Sequence, residues 1–224
     1  TYMAKRDSGT SGVLVIGLGR FGSAVAASLD SLDREVLAVE KSPRIVTQWQ
    51  SRLPVVQADA TSAEALEQLG ATDFQAAVVG VGTALEASVL ITANLVDLGI
   101  ASIWAKATSL EHGSILKRIG AHHVVYPEYD AGVRTAHLVG GKMLDYIEMD
   151  RKGFSVVKMR PPKVCHGFTL EELDLRSKYG VTVIGVLSAG QPFEYASPQS
   201  RIDANDIIIV SGDAELLEQF AQMP

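Results

Sequence analysis

A regular alternation of short apolar runs and longer helical patterns, from Val13 to Tyr126, is the feature that most constrains this fold. The apolar runs predict six strands, at Val13–Gly17, Glu35–Glu40, Pro54–Ala58, Ala76–Val81, Ala101–Lys106 and His122–Tyr126. Helices are predicted between them at Arg20–Leu32, Pro43–Arg52, Ser62–Leu69, Leu85–Leu98 and Leu110–Ile119. Strands that alternate with helices form a parallel sheet covered on both faces. The predicted fold class is therefore α/β, with a Rossmann-like doubly wound parallel sheet of six strands.

The ends of these predicted helices carry residues that commonly start or stop a helix. Ser42 directly precedes Pro43, and proline is favoured in the first helical turn. Gly70, Gly99 and Gly120 each follow a predicted helix, where glycine readily adopts the backbone conformation that ends it. The start and stop signals thus agree with the alternation.

The segment after Pro127 has two interpretations. Its apolar residues predict a helix from about Asp130 to Ile147, weakened in the middle by Gly140-Gly141. This element is either a connecting helix that packs against a partner subunit or a sixth surface helix of the first domain.

The chain from Gly153 onward predicts a small α+β domain. Strands are expected at Phe154–Met159, Val181–Leu187 and Ile207–Ser211, with a hairpin turn at Ala189-Gly190-Gln191. A short helix is expected over Leu170–Leu173, and Asp213 is expected to cap a final helix that runs to Met223. The predicted organisation is a flexible lead-in at residues 1–11, a nucleotide-binding domain at 12–129, a crossover helix and linker at 130–152, and the small domain at 153–224.

Composition excludes several classes of function. The 224 residues carry 20 Lys and Arg against 26 Asp and Glu, and this net charge of −6 argues against a nucleic-acid-binding module. The single cysteine, Cys165, excludes an internal disulfide framework and a cysteine-based zinc cluster. No apolar run approaches the roughly 20 residues of a membrane-spanning helix. We therefore expect a cytoplasmic protein, for which any membrane would belong to a partner.

The strongest chemical signal is the loop Gly17-Leu18-Gly19-Arg20-Phe21-Gly22, which lies between the first strand and the first helix. Gly17 allows the tight turn, Gly19 lets the backbone approach a phosphate, and Gly22 permits close packing of helix on strand. The free amides at the start of the helix then bind the anion. The alternative is a plain strand–helix turn.

Acidic residues end the second and third predicted strands. Glu40 lies where a carboxylate accepts hydrogen bonds from ribose hydroxyls and repels a 2′-phosphate, so a free ribose is preferred. The alternative for Glu40 is a solvated carboxylate. Asp59-Ala60-Thr61 is placed to meet an adenine ring, and Thr61 or Ser62 also fits an ordinary helix cap.

Positive charge is predicted beside the phosphates. Arg20 in the glycine loop favours the polyphosphate of ATP or ADP, unless its side chain extends into solvent. Lys106 and Glu128 follow the fifth and sixth strands at the edge where ligands bind. Glu128 would repel a polyphosphate unless a cation lay between them, so it either binds Mg²⁺ or Ca²⁺ or is a solvated loop residue. The remaining candidates at this edge are Phe21, Lys41 and Gly82.

Positive evidence for catalysis is absent from the sequence. His166 and Cys165 have no partner at a recognisable spacing, and His122 and His123 open a buried strand and are predicted to be structural. The sequence contains no nucleophile elbow, no His-Glu-x-x-His and no Walker-A loop. An NAD-dependent oxidoreductase of Rossmann type remains the alternative, and a redox sensor or transcriptional regulator would need a DNA-binding module that the acidic charge disfavours.

Several motifs in a fixed order carry a resemblance to a known family. They are Gly17–Gly22, Glu40, Asp59-Ala60-Thr61, Ile103–Lys106, Ile119-Gly120-Ala121 and Pro127–Asp130. The chain resembles the RCK family, the regulators of potassium conductance, and in particular the TrkA/KtrA-type cytosolic subunits of Trk/Ktr potassium uptake systems. The run from Thr169 to Val181 looks like the start of the family's C-terminal domain. The resemblance covers about Gly12 to Phe220.

The resemblance implies that the first domain binds ATP, ADP or NAD(H). It implies that Arg20 contacts the outer phosphate, that Glu40 holds ribose, that Asp59 and Thr61 lie beside the base, and that Glu128 helps to hold a cation. A membrane-embedded potassium-translocating subunit is the implied partner, regulated by a homodimer that assembles into an octameric ring beneath the inner face of the membrane. The C-terminal domain of some relatives binds cyclic di-AMP, for which Arg176 and Tyr179 are the candidates here.

Overall fold

The computed structural model describes residues 12–82, 84–150 and 152–224. The predicted lead-in at residues 1–11 lies outside this range. The chain divides after Glu128 into two compact units. In the described ranges, no helix combines the length and the hydropathy needed to cross a bilayer.

The first unit is built on a sheet of six strands that all run parallel. The strands are β1 (Val13–Ile16), β2 (Val36–Glu40), β3 (Val55–Gln57), β4 (Ala76–Val79), β5 (Ser102–Lys106) and β6 (His123–Val125). Their order across the sheet is β3-β2-β1-β4-β5-β6. The order reverses at β1, which opens a crevice at the carboxyl ends of β1 and β4, where ligands bind in such sheets. The predicted Rossmann-like fold is confirmed.

Helices cover both faces of this sheet. They are α1 (Arg20–Ser31), α2 (Pro43–Trp49), α3 (Ala63–Gln68), α4 (Leu85–Asp97) and α5 (Leu110–Ile119). The predicted stop signals at Gly70, Gly99 and Gly120 all have a positive φ. Because successive side chains of a strand point to opposite faces, β1 contributes Leu14 and Ile16 to one core and Val13 and Val15 to the other.

The predicted helix from Asp130 to Ile147 is wrong in extent. Helix α6 spans Pro127–Val139, and a strand, β7, follows at Met143–Glu148. Gly141 between them has a φ of +73° and ends the helical path. The apolar residues after Gly141 are compatible with either a strand or a helix. Hydrogen bonding to the next strand along the chain makes this segment a strand.

The second unit contains an antiparallel sheet of five strands and a separate sheet of two. The strands after β7 are β8 (Phe154–Met159), β9 (Phe168–Thr169), β10 (Thr182–Leu187), β11 (Glu194–Tyr195), β12 (Arg201–Ile202) and β13 (Ile207–Asp213). The order in the larger sheet is β11-β10-β13-β8-β7, and β9 pairs with β12 in the smaller one. The helices are α7 (Leu170–Leu173), α8 (Leu175–Tyr179) and α9 (Ala214–Ala221).

Local capping agrees with the sequence in this unit. Asp213 accepts a hydrogen bond from the Glu215 amide at the start of α9, as predicted, although the helix ends at Ala221. The predicted turn between β10 and β11 forms at Gly190, whose φ is +75°. Thr169 and Glu172 form a reciprocal capping box around α7.

Candidate functional site

The glycine loop is a tightly packed turn at the end of β1. Gly17 has a φ of +88°, a conformation that side chains disfavour. A Cβ on Gly22 would overlap the carbonyl oxygen of Gly17, and a Cβ on Gly80 after β4 would lie 2.9 Å from the same oxygen. The three glycines therefore let α1 start directly against β1 and β4.

Gly19 differs from these because, among the residues that the structure describes, no atom lies within 4 Å of the position that its Cβ would take. It is the N-cap of α1 with no side-chain hydrogen bond to the amides of the first turn. Those amides have no partner within the helix, and the helix dipole adds positive potential. The loop thus presents open space and free donors to an anion, as the glycine spacing predicts.

Glu40 makes two hydrogen bonds that the sequence did not predict. Its Oε2 accepts a 2.8 Å hydrogen bond from the Leu18 amide in the glycine loop. Its Oε1 accepts another of 2.8 Å from the Ser42 amide before α2. The side chain lies at the predicted end of β2, half-buried rather than fully solvated.

Asp59 forms an ion pair with Lys41 across the ends of β2 and β3. The Lys41 Nζ lies 2.6 Å from its Oδ2, and the amide and hydroxyl of Thr61 donate to its Oδ1. The hydrogen bond from Lys41 is the main cause that lowers the pKa of Asp59 to about 2, with Thr61 next. Asp59 is therefore a carboxylate at neutral pH. The capping alternative also holds, because Ser62 caps α3.

The loop after β3 is held by a residue that the sequence interpretation missed. Asn94 on α4 donates a 2.9 Å hydrogen bond from Nδ2 to the carbonyl of Thr61. Ala60 in the same loop is buried. A polar residue on the buried side of a predicted helix is the signal that could have identified it.

Lys106 and Glu128 form an ion pair at the opposite side of the glycine loop. The Lys106 Nζ lies 2.7 Å from Oε1 of Glu128, and 6.0 Å from the centre of the Phe21 ring. The lysine side chain is only 12% exposed, whereas that of Glu128 is 59% exposed. The methylene groups of Lys106 pass close to Gly82, where an added Cβ would lie 3.2 Å from the Cε of Lys106.

The charge of Glu128 is set by its cationic neighbours. The hydrogen bond from Lys106 is the main cause that lowers the pKa of Glu128, and the nearby charge of Arg20 adds to it. Lys106 is thus a cation that contacts Glu128 within this chain, and the divalent ion predicted at Glu128 stays a prediction. In the part of the chain that the structure describes, no group of three His, Cys, Asp or Glu side chains could hold a metal.

The histidines in the first unit have structural environments. His122 accepts a 3.0 Å hydrogen bond from the Ile103 amide, and His123 stacks on Trp104 with ring centres 3.9 Å apart. His112 on α5 is fully buried, and its Nε2 lies 3.1 Å from the Ser88 hydroxyl on α4. Desolvation lowers the pKa of His112.

The two candidates in the second unit do not share a cavity. Arg176 donates from Nε to the Thr182 hydroxyl at 3.0 Å and lines a cavity of about 490 Å³. Tyr179 packs against Phe220 and lines a different cavity of about 530 Å³. The structure of one chain therefore does not bring Arg176 and Tyr179 into one site.

Family models divide the chain as the structure does. The TrkA-N domain model matches residues 13–127, and the TrkA-C domain model matches residues 154–223. The first match covers the parallel sheet with its glycine loop, and the second covers most of the antiparallel unit.

Characterised relatives match nearly the whole chain. Ktr system potassium uptake protein C of Bacillus subtilis is 33% identical over 208 residues, which cover 92% of this chain and 94% of that protein. Ktr system potassium uptake protein A of the same organism is 31% identical over 208 residues, covering 92% and 93%. Its namesake from Vibrio alginolyticus is 29% identical over 205 residues, covering 91% and 93%.

Solved structures show the same fold at lower identity. The GsuK RCK domain aligns with a TM-score of 0.68 at 17% identity, covering 98% of this chain. This chain spans about half of that one, since the alignment covers 49% of it. The Kef C-terminal domain of Shewanella denitrificans in its AMP-bound form aligns with a TM-score of 0.52 at 24% identity, covering 58% of this chain and 79% of that one. With its TrkA-N and TrkA-C domains in sequence and its match to the Ktr proteins over most of its length, the chain belongs to the TrkA/Ktr family of potassium uptake proteins.

Proposed function

We propose that this chain is a nucleotide-sensing regulatory subunit of a potassium uptake system. The observation that carries the proposal is the uncapped glycine loop at Gly19, with Arg20 and Lys106 beside it and Glu40 and Asp59 at the neighbouring strand ends. Arg20 and Lys106 make one side of this site cationic, which suits phosphates, and Glu40 and Asp59 make the other side acidic, which suits a free ribose and an adenine base. The names of its relatives, Ktr system potassium uptake proteins, support the role in transport.

ATP, ADP and NAD(H) all fit this chemistry. The GsuK channel has been solved bound to NAD and the Kef C-terminal domain bound to AMP, which supports adenine nucleotides as the ligand class. We propose that the γ-phosphate of ATP engages Arg20 and that ADP leaves this contact unmade. A ligand can shift a conformational equilibrium only by its differential affinity for the two states, and this contact would supply that difference.

Calorimetric titration with ATP, ADP and NADH tests the proposal. We expect binding in the nanomolar to micromolar range for at least one of them, and an ATP preference over ADP that Arg20→Ala abolishes. Absence of binding by all three would overturn the nucleotide-sensor function. An unchanged ATP preference in Arg20→Ala would overturn the γ-phosphate contact alone.

We further propose that two copies of the chain pair through α6 and β7, and that the pairs assemble into an octameric ring on a membrane-embedded potassium-translocating subunit. No residue of α6 is fully buried within its own chain. Tyr129 and Val139 on this helix, and Ile147 on β7, are more than half exposed. A second copy that covers these side chains would bury apolar surface that one chain leaves in water. Such a ring would lie on the cytoplasmic face of the membrane.

Two ligand proposals carry over from the sequence. A divalent cation, Mg²⁺ or Ca²⁺, would bind Glu128 together with the phosphates of the nucleotide, which would supply the oxygen ligands that one carboxylate lacks. Cyclic di-AMP would bind the second unit at the cavity that Arg176 lines with Leu170, Ala196 and Pro198. ATP titrations with and without Mg²⁺ in Glu128→Gln test the first, and a cyclic di-AMP titration of Arg176→Ala tests the second.

A further inference from the structure

The carboxylate of Glu40 joins two backbone segments that border the proposed nucleotide site. One oxygen accepts from the Leu18 amide at 2.8 Å, and the other accepts from the Ser42 amide at 2.8 Å. We propose that Glu40 is a positioning residue that fixes the glycine loop in its phosphate-binding shape, in addition to any contact with ribose. This inference rests on the proposed nucleotide binding.

The glycine loop is attached to β2 through the amides of Gly17 and Leu18. The Leu18 side chain is buried in the core on one face of the sheet, and the neighbouring Gly17 amide donates to the Val39 carbonyl at 2.8 Å. Glu40 adds a charge-assisted hydrogen bond to the next amide, and such bonds are stronger than neutral ones. Leu18 is thereby held through both its side chain and its backbone, directly before the open position at Gly19.

The Ser42 amide fixes the other oxygen of the same carboxylate. Ser42 is the N-cap of α2 with a φ of −80°, and its side chain makes no capping hydrogen bond. Because the Ser42 amide binds one oxygen of Glu40 and the Leu18 amide binds the other, the carboxylate is oriented across the ends of β1 and β2. Each carboxylate oxygen can accept more than one hydrogen bond, so a ribose hydroxyl can still bind.

Electrostatics and positioning predict opposite effects when the charge of Glu40 is removed. A carboxylate near the phosphates repels them, so its neutralisation should tighten polyphosphate binding if charge alone mattered. A glutamine at this position would keep one acceptor and present an NH₂ group to the other amide. The glycine loop would then lose a hydrogen bond, and polyphosphate binding should weaken.

Titration with 2′,3′-dideoxy-ATP separates positioning from ribose recognition, because this ligand lacks both ribose hydroxyls. We expect Glu40→Gln to bind it about tenfold more weakly than the wild-type chain does, the effect of one lost charged hydrogen bond. In Mg²⁺-free buffer, the matched control is Glu128→Gln, which removes a carboxylate that bonds to Lys106 and should bind the ligand more tightly. Unchanged or tighter binding by Glu40→Gln would overturn the positioning role.

A second variant keeps the carboxylate and removes one donor. Ser42→Pro lacks the amide, and the φ of Ser42 suits proline. We expect Ser42→Pro to bind 2′,3′-dideoxy-ATP about threefold more weakly than the wild-type chain does. If Glu40→Gln fails to fold, this variant tests the positioning role by itself. Unchanged binding by Ser42→Pro would then contradict the inference. Failure of the wild-type chain to bind any of ATP, ADP and NADH would instead overturn the proposed function on which the inference rests.

Discussion

The Nζ of Lys106 lies 2.7 Å from Oε1 of Glu128, so the residue that ends β5 holds the first turn of α6. The ammonium belongs to a largely buried side chain next to the glycine loop, and a bound phosphate would compete with Glu128 for it. Under the proposed function, ligand binding at the sheet edge and the position of the start of α6 would depend on the same cation.

This competition predicts opposite effects of the two partners on ATP binding. Lys106→Met should weaken ATP binding about tenfold, because a charged hydrogen bond to phosphate is lost. Glu128→Gln should tighten it about threefold in Mg²⁺-free buffer, because Lys106 is released. Lys117→Met, an exposed lysine in the last turn of α5, is the matched control and should leave the dissociation constant unchanged. Equal effects of Lys106→Met and Lys117→Met in calorimetry would refute the competition.

Two glycines of the loop should respond differently to alanine. Gly22→Ala places a Cβ against the Gly17 carbonyl and should lower the free energy of unfolding by about 3 kcal/mol, as overpacking does. Gly19→Ala meets no atom of the described residues within 4 Å and has a φ of −68°, so it should lower the unfolding midpoint much less than Gly22→Ala does, by about the cost of a less favourable N-cap residue. The same methyl group should obstruct a phosphate and weaken ATP binding. Thermal unfolding and calorimetry on both variants test this; an unaffected ATP affinity in Gly19→Ala would place the phosphates elsewhere.

His112 predicts a loss of stability in mild acid. The Thr108 amide donates to its Nδ1 at 3.3 Å, so that nitrogen carries no proton, and desolvation lowers its pKa in the folded state. The unfolded chain therefore takes up the proton first. This contribution to stability is complete above the unfolded pKa of about 6.5 and is lost as the pH falls from there toward the lower folded pKa.

His112→Gln removes this titration while keeping a polar side chain. Between pH 7 and pH 5, we expect the unfolding midpoint of the wild-type chain to fall several degrees further than that of the variant, about the effect of 1 kcal/mol. His123→Gln, whose imidazole is exposed, is the control and should behave like wild type. Parallel pH profiles for wild type and His112→Gln would contradict the prediction.

The exposed apolar side chains of α6 and β7 predict that charge at this surface prevents pairing. Val139 is 79% exposed and Ile147 is 55% exposed. Glutamate at either position would bring an unpaired charge into an apolar contact, which costs several kcal/mol. Light scattering should then give a lower mass than that of the wild-type chain, whereas Leu32→Glu, at a comparably exposed leucine beside α1, should leave the oligomer intact. An unchanged mass in both α6 and β7 variants would exclude this surface as the interface.

The parallel sheet could be predicted from the sequence because its central strands, β1 and β4, are buried on both faces. Leu14 and Val15 are both fully buried, so the run shows continuous apolar character and not an alternation that could be confused with a surface strand. The glycines that end helices, Gly70, Gly99 and Gly120, act through their own backbone conformation. They can therefore be identified from the sequence without knowledge of distant contacts.

Elements whose identity depends on distant partners could not be predicted in the same way. Met143–Glu148 has apolar positions compatible with a helix, and only its pairing with β8 makes it a strand. The hydrogen bond from Leu18 to Glu40 joins residues that are 22 positions apart. The spacing from the glycine loop predicts the position of Glu40 at the end of β2. Its hydrogen bonds to the Leu18 and Ser42 amides depend on how the loops after β1 and β2 approach each other, which the spacing does not give.

The Gly17 carbonyl packs against both Gly22 and Gly80, so the glycine loop, the start of α1 and the end of β4 are closely packed together. On the proposed function, a nucleotide would meet a shape set during folding, so little order would have to be created at the moment of encounter. Exchange of one nucleotide for another would then be limited by dissociation of the first, since the site would not need to be rebuilt between occupants. The proposed sensor would follow the cellular nucleotide balance at the rate of ligand release.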